Sequence, residues 1–326
     1  MPSPAPEPGW VRSTIVARPA CPANDALVLS EVSPHDKPWS KHRHESDQIQ
    51  EHYEGVYERY AERISECSQL LDFRLVPSEE SYRLKLSSTR LCHVRTCQVC
   101  AWRRSLMYKA RAYKALPAFI EDHPKARYIF MTLTCKNCEI SDLRKTISHL
   151  NKSFARLTKL KLWPGIGYLK TVEVTRGLDR ISAHPHLHIL VALEPSYYAR
   201  HYIKKKRWID LWQKSLRVDY RPILDIQTIK AEKSPLGLLA ELIKYQTKPN
   251  DLIFADKEWL LEYTKQIHGT KAFALGGEFK KYFKEMGKEE TDEEMIGNDG
   301  EGELDEGHLL FGWKRRECKY RMVSYE

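Results

Sequence analysis

The stretch His184-Pro185-His186-Leu187-His188-Ile189-Leu190-Val191 places imidazoles at alternate positions. Side chains two apart on a strand share a face, so His186 and His188 project together. Leu187, Ile189 and Val191 then face the other way, as a buried face requires. Two imidazoles side by side on a stiff strand make half of a divalent-metal site. Upstream, Val172-Glu173-Val174-Thr175 sets a carboxylate between two β-branched apolar residues. If that strand and the histidine strand form a hairpin, Glu173 joins the imidazoles on their face. Two imidazoles and a carboxylate suit Mg²⁺ or Mn²⁺ better than structural zinc, because positions remain for phosphate oxygens and water. His184 lies on the same face by parity and is the alternative third ligand.

Glu241, Tyr245 and Lys248 stand at i, i+4 and i+7 of a helical segment, on one face. Taken alone, this is the pattern of an ordinary amphipathic helix. Chemically it joins a tyrosine to a carboxylate and a cation, and a cation favours the phenolate over a phenol whose free pKa is about 10. A third set is Cys92, Cys97 and Cys100, spaced Cys-x4-Cys-x2-Cys. The Cys-x2-Cys pair is a common zinc half-site, and Cys67 is the expected fourth ligand, with His93 as its rival. Cys135 and Cys138 read as incidental, and Cys21 and Cys318 fall in the expected tails.

The elements that must position these groups follow from periodicity. Strands are expected at Arg127–Thr134, Ile166–Thr175, His186–Leu193 and Arg221–Ile229, with Gly177–Ala183 as a hairpin loop. Helices are expected at Arg103–Ile120, from Ser141 as N-cap to about Leu162, at Tyr197–Arg217 and at Leu236–Tyr245. The order β-α-β-β-α-β-α predicts an α+β fold. A central antiparallel sheet has helices packed on it, close to the split βαβ arrangement, and a small Cys-rich zinc-binding region precedes it. The expected organisation is a disordered leader at 1–45, a Cys-rich and basic helical region at 46–120, a catalytic domain at 121–285, an acidic mobile segment at 286–307 and a C-terminal tail at 308–326.

Composition narrows the function. The chain has 326 residues and a formal charge of +9, although ten acidic residues crowd into 289–306, where no Lys or Arg stands. The rest is therefore strongly basic, which points to nucleic acid as partner. The runs Ala101–Arg111 and Ile203–Trp208 interleave cations with aromatics, which suits phosphate contact and base stacking. No apolar run approaches the roughly 20 residues needed to span a bilayer, and the proline-rich start is no secretory signal, so the expectation is a cytoplasmic protein without membrane contact. No GxxxxGK[ST] phosphate loop is present, so no ATP hydrolysis is expected.

The order of motifs resembles the HUH endonucleases, in particular the replication initiator (Rep) proteins of small rolling-circle plasmids of Gram-positive bacteria and cyanobacteria. Phe130-Met131-Thr132-Leu133-Thr134 is similar to their first motif, His186-Leu187-His188 to the His-hydrophobic-His motif, and Tyr245-Gln246-Thr247-Lys248 to the YxxK motif. Glu241 matches the hydrolytic glutamate of the single-tyrosine branch. Lys271–Lys280 resembles the family's C-terminal segment, and the cysteine run resembles its CxxRxCxxC pattern, with Gln98 where the family often has proline. The resemblance covers about residues 60–285. It implies a site-specific, metal-dependent DNA nickase and ligase at a rolling-circle origin. Glu173, His186 and His188 would hold Mg²⁺ or Mn²⁺. Tyr245 would form a 5′-phosphotyrosine and leave a 3′-hydroxyl primer, Glu241 would activate water and Lys248 would stabilise charge. Cys67, Cys92, Cys97 and Cys100 would hold structural zinc. Partners would be plasmid origin DNA, double- and single-stranded, and a host helicase and polymerase. A transposase or relaxase using the same chemistry, and a non-catalytic zinc-containing DNA-binding regulator, are the alternatives.

Overall fold

The computed structural model describes residues 27–78, 81–229, 249–285 and 307–325. Glu241, Tyr245, Lys248, the helix expected at Leu236–Tyr245 and the acidic run 289–306 lie outside the described residues. In chain order the elements are α1 (Leu29–Val32), α2 (Lys37–Tyr53), α3 (Glu58–Glu66), β1 (Leu70–Ser78), β2 (Ser81–Thr89) and α4 (Gln98–Asp122). Then come β3 (Arg127–Thr134), α5 (Leu143–Leu157), β4 (Gly165–Arg176), β5 (Ala183–Leu193), α6 (Tyr197–Arg200), α7 (Lys205–Leu216) and β6 (Leu224–Thr228). The last are α8 (Pro249–Ile253), α9 (Lys257–Ile267), β7 (Phe273–Gly277), α10 (Phe279–Glu285), β8 (His308–Lys314) and β9 (Lys319–Tyr325). The fold is α+β, with two antiparallel sheets, in two compact units: residues to Cys100 with the C-terminal strands, and Ala101–Glu289. No helix among the described residues is long and apolar enough to cross a membrane.

The second unit holds a five-stranded sheet in the order β6-β3-β5-β4-β7. β3 and β4, joined through α5, flank β5 on either side and run antiparallel to it, which is the split βαβ arrangement. Alternation divides the strands cleanly. Met131, Leu133, Val172, Val174, Leu187, Ile189 and Val191 are all buried on one face. That face is covered by α5, whose buried Leu143, Ile147, Leu150, Phe154 and Leu157 follow helical spacing, and by α7 through Trp208, Leu211 and Trp212. Phe154 meets Tyr168 edge to face, and the Trp212 indole donates to the Thr134 carbonyl. On the opposite face, Tyr128, Leu169, Leu190 and Ala192 pack with Ala112, Leu116 and Phe119 of α4 and Phe279 and Phe283 of α10. The other end of this second face carries His186 and His188.

Two details differ from the periodicity. The expected helix from Ser141 begins instead at Leu143 behind a 3₁₀ turn, Ile140–Asp142, and Asp142 places a carboxylate at the positive end of α5. The single helix expected at Tyr197–Arg217 is broken between α6 and α7. The Tyr197 hydroxyl accepts from the Ile203 N–H and the Trp208 indole, so the backbone at Ile203 bonds to a side chain rather than continuing the ladder. At the far edge, Gly277 has φ +59, and a Cβ there would collide with the Ile166 carbonyl.

The first unit departs more from expectation. Residues 29–45, read as leader, form α1 and the start of α2, and residues 308–325, read as tail, form β8 and β9 in the sheet β2-β1-β8-β9. The reason is visible in α2. Its buried residues include His42, Arg43, Glu45 and Asp47, so it reads as polar in composition. Those groups satisfy one another: Arg43 donates to Asp47 at 2.6 Å and to the Ile64 carbonyl at 2.7 Å, and the Trp313 indole donates to Asp47 at 2.8 Å. Paired charges can be buried at modest cost. Such a helix has no apolar stripe for periodicity to detect.

Candidate metal centres

β5 is the middle strand, so each of its residues has a partner on both sides. His186 sits opposite Thr134 of β3 and Glu173 of β4, and His188 sits opposite Thr132 and Thr171. The turn that fixes this register is closed by Gly177 N–H to the Ser182 carbonyl and by Asp179, whose carboxylate accepts from the Ile181 and Ser182 amides. The structure therefore brings Glu173, His186 and His188 together, with one donor atom from each within 4.8 Å of the others.

His188 Nε2 donates to Glu173 Oε2 at 2.9 Å, and His186 Nε2 lies 3.6 Å from the same oxygen. Burial would push the Glu173 carboxyl up. Hydrogen bonds and positive charge from both histidines outweigh it and hold the carboxyl down at about 2. The rear of each ring is also held. His186 Nδ1 donates to the His184 carbonyl at 3.2 Å, which turns Nε2 toward Glu173. His188 Nδ1 accepts from the Thr132 hydroxyl at 3.1 Å, and its ring stacks on Phe130 at 5.6 Å. His184, the alternative third ligand, turns to Asn137 Oδ1 at 2.7 Å.

Donors on adjacent corners of an octahedron about 2.1 Å from its centre stand about 3 Å apart. The separations from Glu173, 2.9 Å to His188 and 3.6 Å to His186, are close to that value, and the site face is only partly exposed, at 10–22 % for the three side chains. The donor set thus fits a divalent cation with open positions for oxygen ligands. Thr132 and Phe130 were not singled out by sequence reasoning as partners of His188. Their signal was there: Phe130, Thr132 and Thr134 share one parity on β3.

The first unit holds the second cluster. Cys67 follows α3, Cys92 and Cys97 lie in the loop after β2, and Cys100 is in the first turn of α4. All four thiols are free and buried. Sulfur separations are 3.7 Å for Cys67–Cys100, 3.6 Å for Cys92–Cys100 and 3.7 Å for Cys67–Cys97. Four sulfurs around a tetrahedral zinc, at about 2.3 Å each, stand about 3.8 Å apart. The set therefore fits a closed tetrahedral site. Burial works against a Cys97 thiolate, but hydrogen bonds from the other three sulfurs and from Ser46 keep its pKa well below that of an ordinary thiol. The Ser46 hydroxyl also accepts from the Gln98 and Val99 amides, capping α4 from another helix. His93, the rival ligand, is exposed and left-handed at φ 54, outside the cluster.

The expected stacking residues are partly committed elsewhere. Tyr108 of α4 stacks on Phe273 at 4.4 Å, and Trp208 is buried under α7, while Lys204, Lys205, Lys206 and Arg207 remain exposed. Cys135 is buried, and the Cys138 backbone pairs with Ala183 across the hairpin end.

A split βαβ sheet carrying two histidines and a glutamate on its middle strands, joined in one chain to a four-cysteine cluster, defines a protein with two candidate metal centres. The family model described as "Replication protein" matches residues 83–321. The chain belongs to this replication protein family, as the motif order implies. It is 30% identical over 275 residues to a "Protein rep" of Streptococcus pneumoniae serotype 2, covering 82% of this chain and 85% of the relative. It is 31% identical over 264 residues to a "Protein rep" of Bacillus amyloliquefaciens, covering 72% and 76%. A "Replication protein" of Staphylococcus aureus is 28% identical over 224 residues, covering 63% and 95%. No solved structure matches.

Proposed function

We propose that this plasmid replication protein nicks one strand of its origin DNA and rejoins it through a 5′-phosphotyrosine on Tyr245. The observation that carries the reading is the Glu173–His186–His188 cluster on the open end of the sheet face, in a chain of this family. A Mg²⁺ or Mn²⁺ ion held there would supply Lewis-acid polarisation of the scissile phosphate. His186 and His188 offer Nε2 lone pairs, Glu173 offers a carboxylate that stays ionised at any physiological pH, and Thr132 and the His184 carbonyl keep the rings oriented.

In the proposed reaction the Tyr245 oxygen attacks phosphorus in line, the bond to the 3′ oxygen breaks, and that oxygen takes up a proton. The exchange of one phosphoester for another keeps the bond energy, so rejoining needs no ATP. Lys248, three residues further along the sequence, would stabilise negative charge on the phenolate or phosphate. Glu241, four residues earlier, would serve as general base for water at termination. The free 3′-hydroxyl would then prime a host polymerase, and a host helicase would supply the unwinding for which this sequence has no phosphate loop.

The test is a nicking assay on supercoiled plasmid carrying candidate origins, with and without Mn²⁺. Tyr245→Phe should bind DNA but form no covalent adduct and no nick. His186→Ala should bind with little loss, because Lys and Arg contacts supply most affinity, and should not cleave. Glu241→Ala should still nick and join, but on a plasmid with two tandem origins it should run past the second. An adduct mapped to another tyrosine, or wild-type nicking by His186→Ala with metal present, would defeat the reading.

A further inference from the structure

Lys170 is a buried ammonium. It is 8% exposed, and its Nζ donates to Asn151 Oδ1 and lies 5.4 Å from the Phe154 ring. Among the described residues no carboxylate pairs with it. It sits on β4 with the parity of Val172, so it projects to the α5 face, opposite Glu173. Burial lowers its pKa to about 8, which leaves it charged at neutral pH.

The side chain lines a cleft of ≈ 490 Å³ between α5 and the loop that enters β7. Asn151 and Lys170 form its floor, and Arg144, Lys152 and Lys271 stand around it. Ala155 and Ala274, both small, leave the space open. The Arg144 guanidinium is held in place through the Lys265 carbonyl. Among the described residues no carboxylate lines the cleft. Four cations line one concavity from three elements, α5, β4 and the β7 loop. Arg144, Lys152 and Lys271 are exposed, whereas the buried Lys170 charge is costly unless an anion pairs with it.

We infer that this cleft is a phosphate-binding site, separate from the histidine–glutamate centre and on the opposite face of its sheet. Lys170 supplies the buried point charge, Asn151 orients it, and Arg144, Lys152 and Lys271 contact the remaining oxygens. The volume admits a phosphate carried by a nucleotide or by the backbone of a nucleic acid. The inference does not depend on the nicking reaction.

Thermal melting of the full chain at constant ionic strength tests it, with inorganic phosphate, a mononucleotide and a short oligodeoxynucleotide lacking origin sequence as three probes against chloride. A ligand that binds only the folded state raises the Tm by mass action. Phosphate should raise the Tm of wild type by several degrees and leave Lys170→Met unmoved. Melting of Lys170→Met without phosphate should equal or exceed that of wild type, since an unpaired buried charge is removed. Lys152→Gln with Lys271→Gln, both on exposed positions, should keep the fold and weaken phosphate on the order of tenfold or more. His186→Ala should respond as wild type does. If the oligonucleotide also loses affinity in Lys170→Met, the phosphate is a backbone phosphodiester. If only the small probes do, it is a free phosphate or nucleotide. A phosphate response that survives in both the Lys170 and the double variant, or no response to any probe in wild type, overturns the site.

Discussion

At the scale of single residues, the candidate catalytic metal centre is tuned by groups that never touch the metal position. Thr132 is the clearest. Its hydroxyl donates to His188 Nδ1 while His188 Nε2 donates to Glu173. When Nε2 becomes a ligand, the ring proton must move to Nδ1, and the same hydroxyl can then accept it. Thr132→Val keeps the shape and removes both roles. It should weaken Mn²⁺ binding by roughly 10–100-fold, as loss of an outer partner of a ligating histidine does, with DNA affinity unchanged. Isothermal titration with Mn²⁺ reads this directly, and an unaltered affinity would remove Thr132 from the site. Glu173 makes a second residue-scale prediction, for metal-free protein. Its carboxyl is held at about 2, below the ordinary 4.5. A depressed carboxylate contributes stability that is complete above the unfolded value and is lost as pH falls through the folded one. The stability difference between wild type and Glu173→Gln should therefore shrink as pH falls from 4.5 to 2. Denaturant melts across that range measure it, and a difference that does not change with pH would mean the histidines do not bias the carboxyl.

At the scale of elements, the four cysteine sulfurs tie the end of α3, the loop after β2 and the first turn of α4 into one knot. A metal held by ligands from three separate segments would contribute its binding free energy to folding. Purified protein should carry about one zinc per chain by elemental analysis. Cys97→Ser should lose it and destabilise the first unit by several kcal/mol. A zinc-free wild type, or a Cys97→Ser variant with unchanged melting, would remove the structural role. Elements also show where sequence was legible. β3, β4 and β5 were readable because Met131 and Leu133 alternate with threonines, Val172 and Val174 flank Glu173, and Leu187 stands between His186 and His188, and the site parity followed from that. β1 and β2 were not read, although Leu71, Phe73 and Leu75, and then Tyr82, Leu84 and Leu86, alternate with polar residues. β8 and β9 lie where a tail is expected, and their place beside β1 is a pairing across more than 200 residues that no local pattern encodes. Cys67 was legible from chemistry alone, as the thiol needed by three others. Thr132 was hidden because a strand threonine signals nothing until its cross-strand partner is known.

At the scale of the whole molecule, charge is the remaining argument. The formal charge is +9, yet ten carboxylates fall within residues 289–306 with no cation among them. The chain is therefore a basic body with an acidic segment of its own, and we propose that this segment competes with DNA for the cationic surface. A polyanionic segment tethered to a polycationic chain acts at high effective concentration, and its weight is greatest for weak, non-specific contacts, which are almost wholly electrostatic. Deleting residues 288–306 should then raise affinity for DNA lacking the origin at low salt, and raise origin affinity by less, because base contacts are indifferent to it. The gap should close as salt rises, since the screening length falls from about 10 Å at 0.1 M to about 3 Å at 1 M. Neutralising the segment's charge with Asn and Gln at the same length separates this from a linker effect: it should behave as the deletion does if charge is the cause, and as wild type does if only length matters. Binding isotherms of the three proteins across a salt series supply the comparison, and identical slopes for all three would leave the acidic run without a role in DNA selection.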